Sequence, residues 1–387
     1  MRRGRIEAWM WLLFFCLLGT STQSQTQPRA RDLGVPFDGT PGPLNAITDV
    51  KGVEVGHTTL ISGEGALKVG VGPVRTGVTA ILPRGKTNIT DKVFASWFTL
   101  NGAGELTGSA WIDDSGFLDG PVMITNTHSV GVVHDAVIAW RVNHGPPDAD
   151  GYWWSTPVVS ETDDSDLNDM NGFHVKPQDV FHAIDSAASG PVPEGNVGGG
   201  TGDTCFEFKG GIGTASRRLD AKAGGYTVGV LLTCNYGARQ QLRIAGVPVG
   251  REISASKPKA EDEGSIVIVV ATDAPLLPHQ LRRLAKRVSL GLGRTGGYSG
   301  EQSGDMFVAF STANPGASGS SGLRNLIMLP NSGLNDLFLA TVQATEEALA
   351  NALIAARTMA GVNNYTVEAL PHERLREVLK KYNRLAK

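Results

Sequence analysis

At 387 residues, with 41% hydrophobic content and a net charge of −3, the chain can fill one large domain or two ordinary ones. It is neither a disordered segment nor a basic nucleic-acid binder. Three cysteines are too few for a disulfide-stapled scaffold.

The chain opens with MRRGRIEAWMWLLFFCLLGTSTQSQ: arginines, an apolar core from Ala8 to Gly19, then small and polar residues. That is the layout of a secretory signal peptide, and the apolar core is short for a membrane span, which disfavours an uncleaved anchor. Cys16 follows Phe15 rather than the small residue a lipid-attachment site wants. Cleavage between Ser21 and Gln25, giving a leader over residues 1–24, would export the mature chain to the periplasm or the medium. It would leave Cys205 and Cys234, which can pair in an oxidising compartment or stay as free buried thiols.

From Gln25 to Pro43 the sequence reads as a polar lead-in. Val78–Gly85 and Pro121–Thr127 read as buried strands, and Val130–Gly145 as a helix stopped by Gly145 and the prolines after it. Asp179–Ala188 is a second helix, and Tyr226–Gly237 a strand with a polar end. REISASKPKAEDEG is the best linker candidate. It runs into SIVIVVAT, whose continuous apolar character suits a central strand. A helix follows, with Leu277, Leu281, Leu284 and Val288 on one face. Asp305–Thr312 is a further strand, and the Ala-rich run from Gly333 to Gly361 a long, largely covered helix. Strands outnumber clear βαβ units and no second core is evident, so one domain with a helix-covered sheet sandwich fits better than a dinucleotide-binding fold.

Common catalytic signatures fail. No H-E-x-x-H or G-x-S-x-G occurs. For His128 and His134, core or capping roles are favoured over metal binding. Ser254 and Lys257 match S-x-x-K but lie in the linker with no K-T-G after them. NVGGGTGDT and KGGIGTASR lack a Walker lysine, and tight turns or close backbone packing explain them better than anion binding.

The Gly264–Ser265 bond lies where the linker meets the strand. A serine there suits self-processing: its hydroxyl attacks the preceding carbonyl, the acyl group moves from nitrogen to oxygen, and water cleaves the ester. Gly264 has no Cβ to obstruct the attack. The new N-terminal amine, with a reference pKa of about 7.7–8, is a base beside the hydroxyl. From these residues alone, a serine that merely opens a strand is the simpler reading.

GSIVIVVATDAPLLPHQLRRLAKR, however, resembles the start of the small subunit in the L-aminopeptidase/D-esterase and β-peptidyl aminopeptidase family. The resemblance continues through DVKGVEVGHTTL, GVTAILPRG, PVMITNTHSVGVVHDA, PVVSETDDSDLND, GNVGGGTGDTCFEFKGGIGTASR, GVLLTCNYG and SGDMFVAFST. It implies an αββα sandwich that resembles N-terminal-nucleophile hydrolases with different strand connections. It also implies self-cleavage into a large subunit, 25–264, and a small one, 265–387. The two stay associated in a homotetramer or larger assembly, with no metal or organic cofactor. Ser265 matches the nucleophile and Asn235 the oxyanion-stabilising amide. Ser303 and Asp305 match the hydroxyl and carboxylate that tune the nucleophile's amine. Glu161 matches the acid that binds the substrate's free amino group. Asp163 departs from relatives that carry an aromatic residue there, and its extra acid bears on amine binding or on the first-residue pocket.

The expected activity is removal of N-terminal residues, of L-, D- or β-type, from short peptides, amides or esters with a free amino group. The alternatives are an exported solute-binding protein without turnover and a divergent acyl-transferring relative. Enzymes of the latter kind usually place threonine at the cut.

Overall fold

The computed structural model describes residues 27–144, 154–253, 264–319 and 321–386. The expected leader, the S-x-x-K tetrapeptide and most of the linker lie outside the described residues.

In chain order the strands are β1 (Glu54–Ser62), β2 (Val74–Leu82), β3 (Val93–Gly102), β4 (Phe117–Leu118), β5 (Val122–Asn126), β6 (Val158–Thr162), β7 (Thr204–Cys205), β8 (Phe208–Lys209), β9 (Gly211–Arg218), β10 (Thr227–Asn235), β11 (Gly264–Thr272), β12 (Ser303–Ser311), β13 (Met359–Ala360) and β14 (Thr366–Val367). The helices are α1 (Ser109–Ser115), α2 (Val130–His144), α3 (Pro177–Asp185), α4 (Val249–Glu252), α5 (Pro278–Thr295), α6 (Asn335–Ala355) and α7 (His372–Lys381).

The strands form a four-stranded sheet ordered β1-β2-β5-β6 and a six-stranded sheet ordered β4-β3-β12-β11-β10-β9, with two short ribbons, β7-β8 and β13-β14. Most pairs are antiparallel; β11 with β12 and β5 with β6 are parallel, and α5 carries the chain between β11 and β12. A parallel pair requires such a crossover.

Strand β11 shows how a continuous apolar run builds two interfaces. Its residues alternate between faces. Ile266, Ile268 and Val270 join the layer beneath the helices with Leu281, Leu284 and Val288 of α5. Val267, Val269 and Ala271 join Val55, Ile81 and Ile124 of the other sheet. A third layer packs Val78, Ala80 and Met123 against Val133, Val137, Val180 and Ile184 of α2 and α3. The order is helices, six-stranded sheet, four-stranded sheet, helices: the αββα sandwich the family resemblance implied.

Two readings of the sequence need correction. The segment from Gln27 is not a mere polar lead-in: Ala30, Leu33 and Val35 are part of the core beneath the helices. Its arginines are tied down, Arg31 pairing with the fully buried Glu347 at 2.7 Å. Glu347 also pairs with Arg217 at 2.7 Å. The long C-terminal helix stops at Ala355, because Ala356 is extended and Met359–Ala360 form β13. The glycine-rich runs do serve close packing: a Cβ on Gly200 would lie 2.6 Å from Gly211 Cα.

Candidate active site

The site forms where β10, β11 and β12 end together. Ser265 pairs with Asn235 on β10 and with Gly304 on β12. Gly264 pairs with Ser303. Register alone therefore brings together five residues from three regions that lie far apart in the sequence. The Gly304 N–H donates to Ser265 Oγ at 3.2 Å.

Gly264 adopts φ 118°, and a Cβ there would sit 2.0 Å from the Asn235 carbonyl oxygen. Only glycine fits, because the conformation and the space both exclude a side chain. Gly304 is similarly confined: a Cβ would lie 2.8 Å from Ser265 Oγ and 2.5 Å from the Ala103 carbonyl oxygen.

The Asn235 side chain is gripped at both ends. Its Nδ2 donates to the Asp163 carbonyl at 2.6 Å, and its Oδ1 accepts from the Thr204 N–H at 2.7 Å. Flipping the amide would set like groups against each other, so its orientation is fixed.

Ser303 donates to Asp305 Oδ1 at 2.7 Å, and Ser299 donates to Oδ2. Ser303 and Asp305 are wholly buried. Asn101 Nδ2 holds the loop that carries them, 2.9 Å from the Gly300 carbonyl and 2.6 Å from that of Ser303. Ser299 escapes sequence reasoning. It lies in an irregular loop, and its positive φ of 59° has no signature in the neighbouring residues.

Glu161 comes from the opposite sheet, near the end of β6. Its Oε1 accepts from the Glu105 N–H at 3.0 Å and its Oε2 from the Thr127 hydroxyl. Burial pushes the Glu161 carboxyl above the usual carboxylate range; these two hydrogen bonds oppose the rise and the charge of Asp163 adds to it. Gly104 lies between the two halves of the site: a Cβ there would meet Gly304 Cα at 3.1 Å and Glu161 Oε1 at 3.2 Å. The amine-binding candidate and Gly304, the strand partner of Ser265, thus flank one glycine. Thr127, like Ser299, gives no sequence signal.

Asp163 itself is exposed, and its carboxylate accepts from the Ser165 N–H at 2.8 Å. Behind this region lies a buried polar cluster of Asp164, Asp203 and Lys209, in which burial pushes both carboxyls up and the ammonium down. Cys205 and Cys234 form a disulfide with a Cα–Cα distance of 5.3 Å. His128 is neither a core residue nor part of a metal cluster; it is exposed and stacks on Phe173, with ring centroids 6.2 Å apart. Among the described residues, no three His, Cys, Asp or Glu side chains gather as metal ligands.

A cavity of about 690 Å³ lies elsewhere and is lined by Arg29, Ile61, Glu194 and Met359 among others. Its charged lining residues are Arg29, Glu194 and Arg357, with Arg29 and Glu194 paired at 2.7 Å, and none of the residues matched to the chemistry lines it.

The layered fold and the paired strand ends are those of an N-terminal-nucleophile hydrolase. The solved L-aminopeptidase D-Ala-esterase/amidase of Ochrobactrum anthropi, described as a variant of that fold, superposes with a TM-score of 0.87 at 48% identity, over 93% of this chain and 100% of that one. A Burkholderia β-aminopeptidase superposes with a TM-score of 0.85 at 47% identity, over 92% of this chain and 99% of the other. The β-peptidyl aminopeptidase BapA of Sphingosinicella microcystinivorans is 55% identical over 386 residues, 96% of each chain. Residues 45–367 match the profile of peptidase family S58. The chain belongs to peptidase family S58 and is an aminopeptidase. Neither the solute-binding nor the acyl-transferring alternative finds support in these relatives.

Proposed function

We propose that this aminopeptidase is made as a precursor that cuts itself between Gly264 and Ser265, and that the serine it exposes then removes N-terminal residues from short peptides, amides or esters. The observation that carries this reading is the pairing of Gly264 and Ser265 with Ser303, Gly304 and Asn235 at one sheet end. When the Gly264–Ser265 bond breaks, the new amine emerges beside Ser303, whose hydroxyl is already bonded to Asp305.

In turnover, Ser265 Oγ attacks the first carbonyl of the substrate. Its own α-amine takes the hydroxyl proton and later delivers it to the leaving amine, with Ser303 and Asp305 fixing the amine's orientation. Asn235 Nδ2 has one hydrogen on Asp163 and a second available for the oxyanion. Water then attacks the ester, and the same amine handles its proton. Glu161 pairs with the ammonium group of the substrate. A buried carboxylate makes a strong charge-assisted contact, which selects for a free N-terminus. Asp163 reinforces the negative field that Glu161 experiences. β-Amino acids are the first substrates to try, given the β-peptidyl aminopeptidase among the relatives.

Export to an oxidising compartment fits the buried Cys205–Cys234 disulfide. Assembly into a homotetramer or larger oligomer fits the exposed apolar side chains of Leu323, Ile327 and Met328, which are 102%, 71% and 49% accessible in the single chain.

The test is hydrolysis of para-nitroanilides of L-, D- and β-residues, each with a free and an acetylated amine. The free amines are expected to be cleaved, with acetylation abolishing turnover and Ser265→Ala inactive. Equal rates on free and acetylated substrates would overturn the reading.

A further inference from the structure

Asp203 is wholly buried in the glycine-rich segment between the two sheets. Its Oδ2 accepts from the Thr233 hydroxyl of β10 at 2.7 Å, and its Oδ1 from the Thr162 hydroxyl of β6 at 3.1 Å. One carboxylate thus ties the edge strand of the four-stranded sheet to the six-stranded sheet. Lys209 holds the same segment, donating to the carbonyls of Asp203 and Gly210, the latter at 3.0 Å.

The residues tied together are neighbours of the residues that grip Asn235. Asp163, whose carbonyl takes the amide Nδ2, follows Thr162. Thr204, whose N–H meets Oδ1, follows Asp203. Asn235 stands two residues beyond Thr233 on the same face of β10. Glu161 immediately precedes Thr162. The hydrophobic layer between the sheets holds them together further along the strands, but dispersion contacts have no directionality with which to aim a carboxamide.

We propose that Asp203 is the positioning residue of this site: by joining Thr162 to Thr233 it aims the Asn235 amide and fixes its separation from Glu161. The proposal rests on the reading of Asn235 as the oxyanion donor. A buried staple of this kind keeps the donor at its working distance, and a misplacement of about 1 Å can cost on the order of 100-fold in rate.

The test uses Asp203→Asn and the milder Thr233→Val, which removes one hydroxyl at nearly constant volume. Melting temperature, kcat and KM on a free-amine para-nitroanilide, and the first-order rate of precursor cleavage are measured for each. The same substitutions are repeated in an Asn235→Ala background, as a double-mutant cycle. Thr233→Val is expected to lower kcat and the cleavage rate about tenfold with KM within about twofold. In the Asn235→Ala background it should have little further effect, since the amide it positions is gone. An unchanged kcat in Thr233→Val, or an equal loss in both backgrounds, would overturn the proposal, and Thr233→Val decides the matter even if Asp203→Asn fails to fold. Wild-type rates in Asn235→Ala would instead overturn the underlying assignment of the oxyanion donor, and the positioning proposal with it.

Discussion

The two sheets contribute differently to the same site. In the six-stranded sheet, register does the assembly: Asn235, Ser265 and Gly304 are adjacent because three strand ends coincide. In the four-stranded sheet a single side chain, Glu161, reaches the site, and hydrogen bonds from Glu105 and Thr127, outside its own strand, hold it. The proposed bond-making groups thereby sit on interior strands of the six-stranded sheet, while the proposed amine-binding carboxylate sits on an edge strand of the other sheet, joined to them through Asp163 and Asp203. Family members that differ in the amino acids they accept are expected to vary around β6 and its following turn more than around β11.

That division can be broken from either side, and the sizes of the effects should differ. Gly264→Ala is the most severe change short of removing the nucleophile. Its Cβ would clash with the Asn235 carbonyl at 2.0 Å in a conformation that L-residues rarely adopt. Precursor cleavage should stop or slow by orders of magnitude, as read on a denaturing gel over days.

Asn235→Ala comes next. Loss of one oxyanion donor costs about 100- to 1000-fold in kcat, and pre-steady-state kinetics should place that loss in acyl transfer with KM little changed. Glu161→Gln should act mainly on the other half of the comparison. Losing a buried charge partner for the substrate ammonium costs roughly 2–5 kcal/mol of binding. It should raise KM far more than it lowers kcat and narrow the preference for free over acetylated amines. If kcat alone fell, recognition and chemistry would not be divided between the sheets as described.

The last expected effect concerns stability. His57, on β1 of the four-stranded sheet, is half-buried, with Nδ1 2.9 Å from Thr79 Oγ1. Burial lowers its pKa from 6.5 to about 4. The folded state therefore holds the imidazole neutral while the unfolded chain takes up a proton. The stabilisation is complete above about pH 6.5 and is lost as the pH falls toward 4, amounting to roughly 3 kcal/mol across that window. Urea midpoints of His57→Gln, measured from pH 7 to pH 4, should fall less steeply than those of the wild type. Parallel slopes would show that His57 contributes nothing to acid sensitivity.

Strand β11 was the most legible element, since an uninterrupted run of Ile and Val after a polar linker leaves few alternatives to a central strand. Most helices and central strands followed from the same apolar patterning. The N-terminal segment misled because its buried residues, Ala30, Leu33 and Val35, follow no period and sit among arginines. Only the tertiary ion pairs to Glu347 and Glu194 explain how those arginines are accommodated. Within the site, Ser265 and Gly264 stand out by composition, whereas Asn235, Ser303, Asp305 and Glu161 are identifiable only through resemblance to relatives. Ser299, Thr127 and Asp203 were not legible at all. Each meets its partner through a loop or across the two sheets, and no local spacing encodes such a meeting.

The most direct measurement is the intact mass and N-terminal sequence of the purified mature protein under denaturing conditions. The account predicts two chains, the smaller beginning SIVIVV, with the Ser265→Ala variant remaining as one. A fully active enzyme whose Gly264–Ser265 peptide bond is whole would contradict it.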